Sequence, residues 1–117
     1  MRARCQICGR AKALMKDGTI VRHYYKTHLC LGTWNRPYEE SCEAIQTALN
    51  HHIEQDQRCW DIYKRHADER RNEPLGSEFW QVWAEASREI RRLESRLKRW
   101  LKTFGPIRKG AEPIHAS

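Results

Sequence analysis

The feature that most constrains this chain is the spacing Cys5-x2-Cys8-x14-His23-x6-Cys30. Two cysteines two residues apart on a tight turn can reach one ion without strain, and a returning hairpin brings a second pair to close the site. Gly9 follows Cys8 and can take the positive φ that such a turn needs. Asp17-Gly18 lies between two extended runs, residues 11–16 and 19–25, which predicts a hairpin with a type I′ turn. Residues 26–37 read as a loop ending at Pro37.

Three thiolates and an imidazole form a zinc-type donor set. Its net negative charge would be offset by the arginines and lysines around it. Two rival ligands stay open at this level. His28 alternates with Cys30 on one face of an extended segment and could replace His23. His23 is preferred because it ends the second hairpin strand, where its ring can point back to the Cys5–Cys8 turn. Cys42 stands near a helix start, where the helix dipole favours a thiolate. It also shares an apolar stripe with Ile45 and Leu49, the pattern of a buried core cysteine. Cys59, beside Trp60, reads as a packing residue. A redox use of Cys5 and Cys8 predicts a thioredoxin-like βαβ pattern, which this chain lacks.

Five cysteines are an odd count for a disulfide framework. The start, Met1-Arg-Ala-Arg-Cys5, lacks the apolar stretch of a signal peptide, and no apolar run approaches the roughly 18 residues that span a bilayer. The expectation is a cytoplasmic protein with no membrane partner, in which cysteines serve a metal. With 117 residues, 39% hydrophobic and 32% charged, one large core is not available. Small cores of this kind need a staple such as a metal or a partner chain.

Two long amphipathic helices follow. The first is expected over 38–71, with Tyr38, Cys42, Ile45, Leu49, Ile53, Trp60, Tyr63 and Ala67 at helical spacing. Asp56 interrupts that stripe, which implies fraying or a polar partner. Asn72-Glu-Pro-Leu-Gly76 breaks the helix, and Ser77 is the expected N-cap of the second, over 78–104. Its apolar residues Trp83, Ala86, Ile90, Leu93, Leu97, Trp100 and Phe104 step by alternating threes and fours, a coiled-coil seam. Gly105-Pro106 stops it, leaving 105–117 as a flexible tail. A short connection between two such helices implies an antiparallel hairpin. The expected fold is therefore α+β, mostly α. A zinc-ribbon-like module over 1–37 precedes a helical hairpin over 38–104.

The formal charge of +7 is uneven. Residues 1–37 carry eight basic groups against Asp17 alone, residues 38–76 are net acidic, and residues 77–117 are net basic. This predicts side-by-side complementarity of the two helices, and an anionic partner. Arg10, Lys12, Arg22, Tyr24, Tyr25 and Lys26 interleave cations with aromatics, a pattern suited to phosphates and unpaired bases. Arg88, Arg92, Arg99 and Lys102 fall opposite the Trp83–Phe104 seam and predict a basic stripe. The bland account is a solvated face with pairs such as Glu85–Arg88 and Glu89–Arg92. Trp34 is expected to pack the module onto the first helix. Trp80, Trp83 and Trp100 are expected in a core or interface.

Residues 5–41 resemble small zinc-ribbon-like proteins of actinobacterial phages and their hosts. The likeness rests on Cys5-Gln-Ile-Cys8-Gly9-Arg10, Lys16-Asp17-Gly18-Thr19, Arg22-His23 and Cys30-Leu-Gly32-Thr33. It implies that Cys5, Cys8, His23 and Cys30 are the ligands. Leu31 stands where that family commonly has proline, and the likeness implies nothing for residues 43–117.

Three functions compete. A nucleic-acid-associated zinc module would use Arg10, Lys12, Arg22, Tyr25, Lys26, Arg92 and Arg99 on DNA or RNA. An interaction protein would dimerise or dock on a partner through its helical hairpin, since two helices alone bury little surface. An HNH-type nuclease would need His51-His52 outside a helix and a vacant metal position. The reading is of a non-catalytic protein without a small-molecule substrate.

Overall fold

The structure, a computed structural model, describes residues 1–69 and 74–105. The Cys5–Gly9 turn reverses the chain at once, so its flanks pair. Strand β1 (Arg2–Arg4) runs antiparallel to β2 (Ala11–Ala13), with Arg2 opposite Ala13 and Arg4 opposite Ala11. The chain turns again at Asp17-Gly18, where Gly18 alone of the two has positive φ, at 84°. The Met15 N–H donates to Thr19 (2.8 Å) and the Gly18 N–H to Met15 (2.9 Å). This is a type I turn closed by a glycine bulge, not the expected type I′ turn. The Asp17 carboxylate accepts from the Thr19 N–H and hydroxyl (3.0 and 2.6 Å), a local turn that keeps Asp17 at negative φ.

The second extended run divides. Ile20 bridges Leu14, and Tyr24–Tyr25 (β3) pairs with His28–Leu29 (β4) across a tight turn that holds Lys26 at φ 58°. Trp34, also at positive φ, is exposed rather than packed on a helix. Its backbone holds the loop instead, with its N–H on the Ile20 carbonyl (2.8 Å).

Helix α1 (Glu43–Asp68) begins later than residue 38. The reason is that residues 37–42 are tied elsewhere. The Tyr38 N–H donates to Arg4 of β1 (2.7 Å), and the Glu40 and Ser41 N–H groups turn back to Pro37. The helix starts where a cap is supplied from outside. Gln6, within the cysteine turn, accepts from the Ala44 and Ile45 N–H groups (2.9 and 3.2 Å) and donates to the Arg36 carbonyl (2.7 Å). First-turn amides have no partner within their own helix, so this buried side chain fixes both the start and the direction of α1.

Helix α2 (Ser77–Phe104) takes Gly76 as its N-cap and Ser77 as its first residue. No side chain caps it, and its first helical hydrogen bond runs from the Trp80 N–H to the Gly76 carbonyl (3.4 Å). Residues 72 and 73 of the expected helix break, and the tail 106–117, lie outside the described residues. The helices pack antiparallel along the predicted seam, with Ala86, Leu93 and Trp100 buried. Asp56 does find a polar partner, accepting from Trp83 Nε1 (2.9 Å). The expected charge pairing between helices is not what joins them. Among the described residues, no ion pair links α1 to α2, and apolar contact does the joining. One core runs through both parts of the chain: Cys5, Ile7, Ile20 and Cys30 from the module meet Cys42, Ile45, Leu49, Leu93 and Trp100 from the helical part.

Candidate metal centre

Two loops place the four candidate ligands. The Cys5 N–H donates to the Arg10 carbonyl and the Gly9 N–H to the Cys5 carbonyl (both 3.0 Å), which closes the first loop around Cys5 and Cys8. Gly9 sits at φ 76°, and a Cβ there would also meet the Arg96 guanidinium at 2.9 Å. The second loop is fastened by the Cys30 N–H on the His23 carbonyl (3.0 Å), just outside the β3–β4 pair. Gly32 follows because the chain passes directly over the first loop: a Cβ at Gly32 would lie 2.1 Å from Cys5 Sγ.

The ligand atoms of Cys5, Cys8, His23 and Cys30 all lie within 4.8 Å of one another, and three of the four residues are buried. Cys5 Sγ is 3.7 Å from Cys30 Sγ, and Cys8 Sγ is 3.5 Å from His23 Nε2. Metal–sulfur bonds of about 2.3 Å and metal–nitrogen bonds of about 2.05 Å give tetrahedral edges of roughly 3.8 and 3.6 Å. These two separations match such edges, and the four side chains together could hold one ion. His23 Nδ1 lies 2.8 Å from the Val21 carbonyl, which fixes that nitrogen as the proton-bearing one and leaves Nε2 to bind a metal.

The buried Cys5–Cys30 contact moves its two thiols in opposite directions. The hydrogen bond with Cys30 draws Cys5 down to about 4 against the cost of its burial, with help from backbone N–H groups of Cys8 and Ile7. The same bond, with burial, pushes Cys30 upward.

The two rival ligands lie elsewhere. His28 is exposed, with its ring edge-on to Tyr25 at 6.4 Å. Cys42 is fully buried in the common core and outside the four-residue cluster. Cys59 is buried in α1. His51 and His52 sit within α1, where burial and the neighbouring imidazole lower the pKa of His52. Among the described residues, they belong to no metal-binding cluster.

The seven residues expected at a nucleic-acid surface divide into two groups. Arg10, Lys12 and Arg22 in the module, and Arg99 on α2, make no ion pair among the described residues. Arg22 lies over the Tyr24 ring. Tyr25, Lys26 and Arg92 instead form an internal joint. Arg92 holds both Glu89 oxygens (3.0 Å each), donates to the Ile7 carbonyl and lies over the Tyr25 ring at 4.9 Å. Lys26 reaches Glu85 (3.4 Å). Arg92 therefore faces the metal module, not an outward stripe with Arg88, Arg99 and Lys102.

Sequence reasoning missed two residues that build this site. Arg96 donates from Nε to the Gln6 carbonyl (2.7 Å) and from Nη2 to the Cys5 carbonyl (3.2 Å). Its spacing of four from Arg92 puts both on one helix face but does not say that carbonyls meet them. Gln6 had none, because nothing local shows that a residue between two cysteines will cap a distant helix. The chain matches no known protein family, and comparison with curated proteins and with solved structures also found no match.

Proposed function

We propose that this is a small, non-catalytic zinc protein that associates with nucleic acid. Zinc is the reading of the metal because Cys3His is a structural-zinc donor set and the separations fit its bond lengths. The set is closed by four protein ligands, so the ion would serve folding and leave no position for substrate. The resemblance to zinc-ribbon-like proteins accords with this reading. The observation that carries the partner is the set of cations around the module. Arg10, Lys12, Lys16 and Arg22 form no ion pair among the described residues. Such a concentration of unpaired charge binds a polyanion and releases its condensed counterions.

The test is fluorescence anisotropy of the zinc-loaded chain with labelled single-stranded DNA, duplex DNA and RNA between 50 and 200 mM salt, a range over which about six phosphate contacts weaken binding by roughly a thousandfold. Affinity should fall steeply with salt, and replacing Arg10, Lys12 and Arg22 together by alanine should weaken binding to all sequences. Absence of binding at the lowest salt would overturn the reading.

One observation favours a second reading, docking of a protein partner. Trp60, Tyr63 and Trp80 are 45%, 39% and 46% exposed at the far end of the helical hairpin. Clustered aromatic exposure of this kind marks protein contacts more often than monomer surface. Light scattering of the wild-type chain and of Trp80→Glu would distinguish a dimer from a monomer.

A further inference from the structure

Helix α2 uses one face to grip the metal module, and that face continues past the point where the module ends. Arg92 and Arg96 lie one turn apart and place their guanidinium groups on the Ile7, Gln6 and Cys5 carbonyls. The next turn carries Arg99 and Lys102. Both are exposed, and neither has a hydrogen bond or ion pair among the described residues.

What lies there is a cleft of about 340 Å³, lined by Arg4, Gly9, Tyr38, Arg96, Arg99 and Lys102. Two of its four cations are held at defined positions. Arg96 stacks at 4.8 Å over the Tyr38 ring, and Arg4 stacks at 5.0 Å over the same ring. Arg96 engages its carbonyls through Nε and Nη2, which leaves Nη1 beside Gly9. Gly9 keeps the floor open, because a Cβ there would meet that nitrogen at 2.9 Å. Glu39 pairs with Arg4 (2.8 Å) and is the one carboxylate bonded to any of the four cations among the described residues. The cleft therefore has a surplus of positive charge, two preset guanidinium groups and two free side chains able to close on a ligand.

We infer that this cleft between the cysteine turn and the C-terminal half of α2 is a phosphate-binding site that seats the backbone of a nucleic acid. The inference rests on the nucleic-acid reading above and adds Arg4 and Arg96, which the sequence pattern did not join to Arg99 and Lys102. Arg96 and Arg4 supply oriented N–H donors for phosphate oxygens, and Arg99 and Lys102 supply long-reach charge. Tyr38 is occupied as the stacking surface for both arginines, so the contact reads phosphate and not base identity. Sequence-independent binding with a strong salt dependence is the expected behaviour.

The test compares four zinc-loaded full-length proteins by anisotropy on labelled duplex DNA, single-stranded DNA and RNA: wild type, Arg99→Ala/Lys102→Ala, Arg99→Lys/Lys102→Arg, and Lys64→Ala on α1 as a control. Zinc content and helical signal are checked in each, and exposed positions should leave both intact. The double alanine variant should bind about tenfold or more weakly, and its salt slope should fall by about two on duplex DNA, one for each lost phosphate contact. The charge-keeping variant should restore most of the affinity, and Lys64→Ala should match wild type. If wild type binds and Arg99→Ala/Lys102→Ala binds equally well, the cleft is not the site, while the broader reading stands. If wild type binds no nucleic acid, both fall. If the charge-keeping variant binds as weakly as the alanine variant, electrostatic seating of phosphate is overturned.

Discussion

The two ends of the helical hairpin are built from similar residues and end in opposite states. At the module end, Trp100 is fully buried, donates to the Tyr38 carbonyl (2.7 Å) and packs against Phe104 at 5.3 Å. At the far end, Trp60, Tyr63, Phe79, Trp80 and Trp83 stack on one another, with ring separations of 5.2–6.4 Å, yet three of the five are large exposed surfaces. The difference is the third body. A two-helix pair has one shared seam and must leave the flanks of that seam open. The metal module closes those flanks at one end by laying its cysteine turn across α2 and its Gln6 side chain on the start of α1. Nothing among the described residues does so at the other. The cysteine–histidine module is therefore also a packing device for helices distant in sequence.

Several substitutions would break or sharpen that contrast. Cys8→Ser should have the largest effect, because structural zinc sites carry on the order of 10 kcal/mol of apparent binding energy that is also folding energy. It should abolish stoichiometric zinc by elemental analysis. It should also lower far-UV helical signal, since the core is common to the module and the helices. Full retention of helix with loss of zinc would show two independently folding parts and break the comparison.

Next come the tryptophans. Trp100→Ala should cost about 3–5 kcal/mol by urea unfolding, as a buried aromatic leaves a cavity. Trp60→Ala or Trp80→Ala should cost about 1 kcal/mol, the worth of the aromatic contacts alone. Equal costs at both ends would mean that the far end is covered in solution.

Gln6→Ala removes the external cap of α1 and should cost about 1–3 kcal/mol. Hydrogen exchange should speed at Ala44 and Ile45 before any change at the far end.

The smallest effect concerns pH. Burial raises the pKa of Glu89, but the hydrogen bonds and charge of Arg92 outweigh it and leave the carboxyl lowered. A lowered folded-state pKa gives stability that is present above the unfolded value, about 4.3, and is lost as pH falls through the folded value. Acid also releases metal, so the measurement is a difference. Glu89→Gln should lose stability at neutral pH, by within about 1 kcal/mol of a modest ion pair, and converge on wild type below about pH 4. A gap that persists undiminished at low pH would show that the contact is packing and not charge.

The clustering of the four candidate ligands, the number of helices and the seam of α2 were legible because each depends on spacing along the chain. Cys5, Cys8, His23 and Cys30 are set by local turns, and Ala86, Leu93 and Trp100 by the helical repeat. The start of α1 and the roles of Gln6, Arg92 and Arg96 were not legible in this way. Residue 38 has the pattern of a helix start, but Tyr38 is bonded to β1 and to Trp100, and Gln6 caps the chain at residues 44 and 45. An arginine on a polar helix face has the same sequence signature whether water or a carbonyl meets it.

By itself, then, the sequence determined a Cys3His cluster on tight turns and two amphipathic helices, since steric turn preferences and the 3.6-residue repeat act between near neighbours. Only the tertiary structure decided which face of α2 the module covers. That choice turns Arg92 and Arg96 inward while leaving Arg99 and Lys102 free, and it buries Trp100 while Trp80 stays exposed. The physical reason is that backbone carbonyls and apolar surface far apart in sequence become partners only when the fold brings them together, and burial then makes each unpaired polar group costly enough to select its partner.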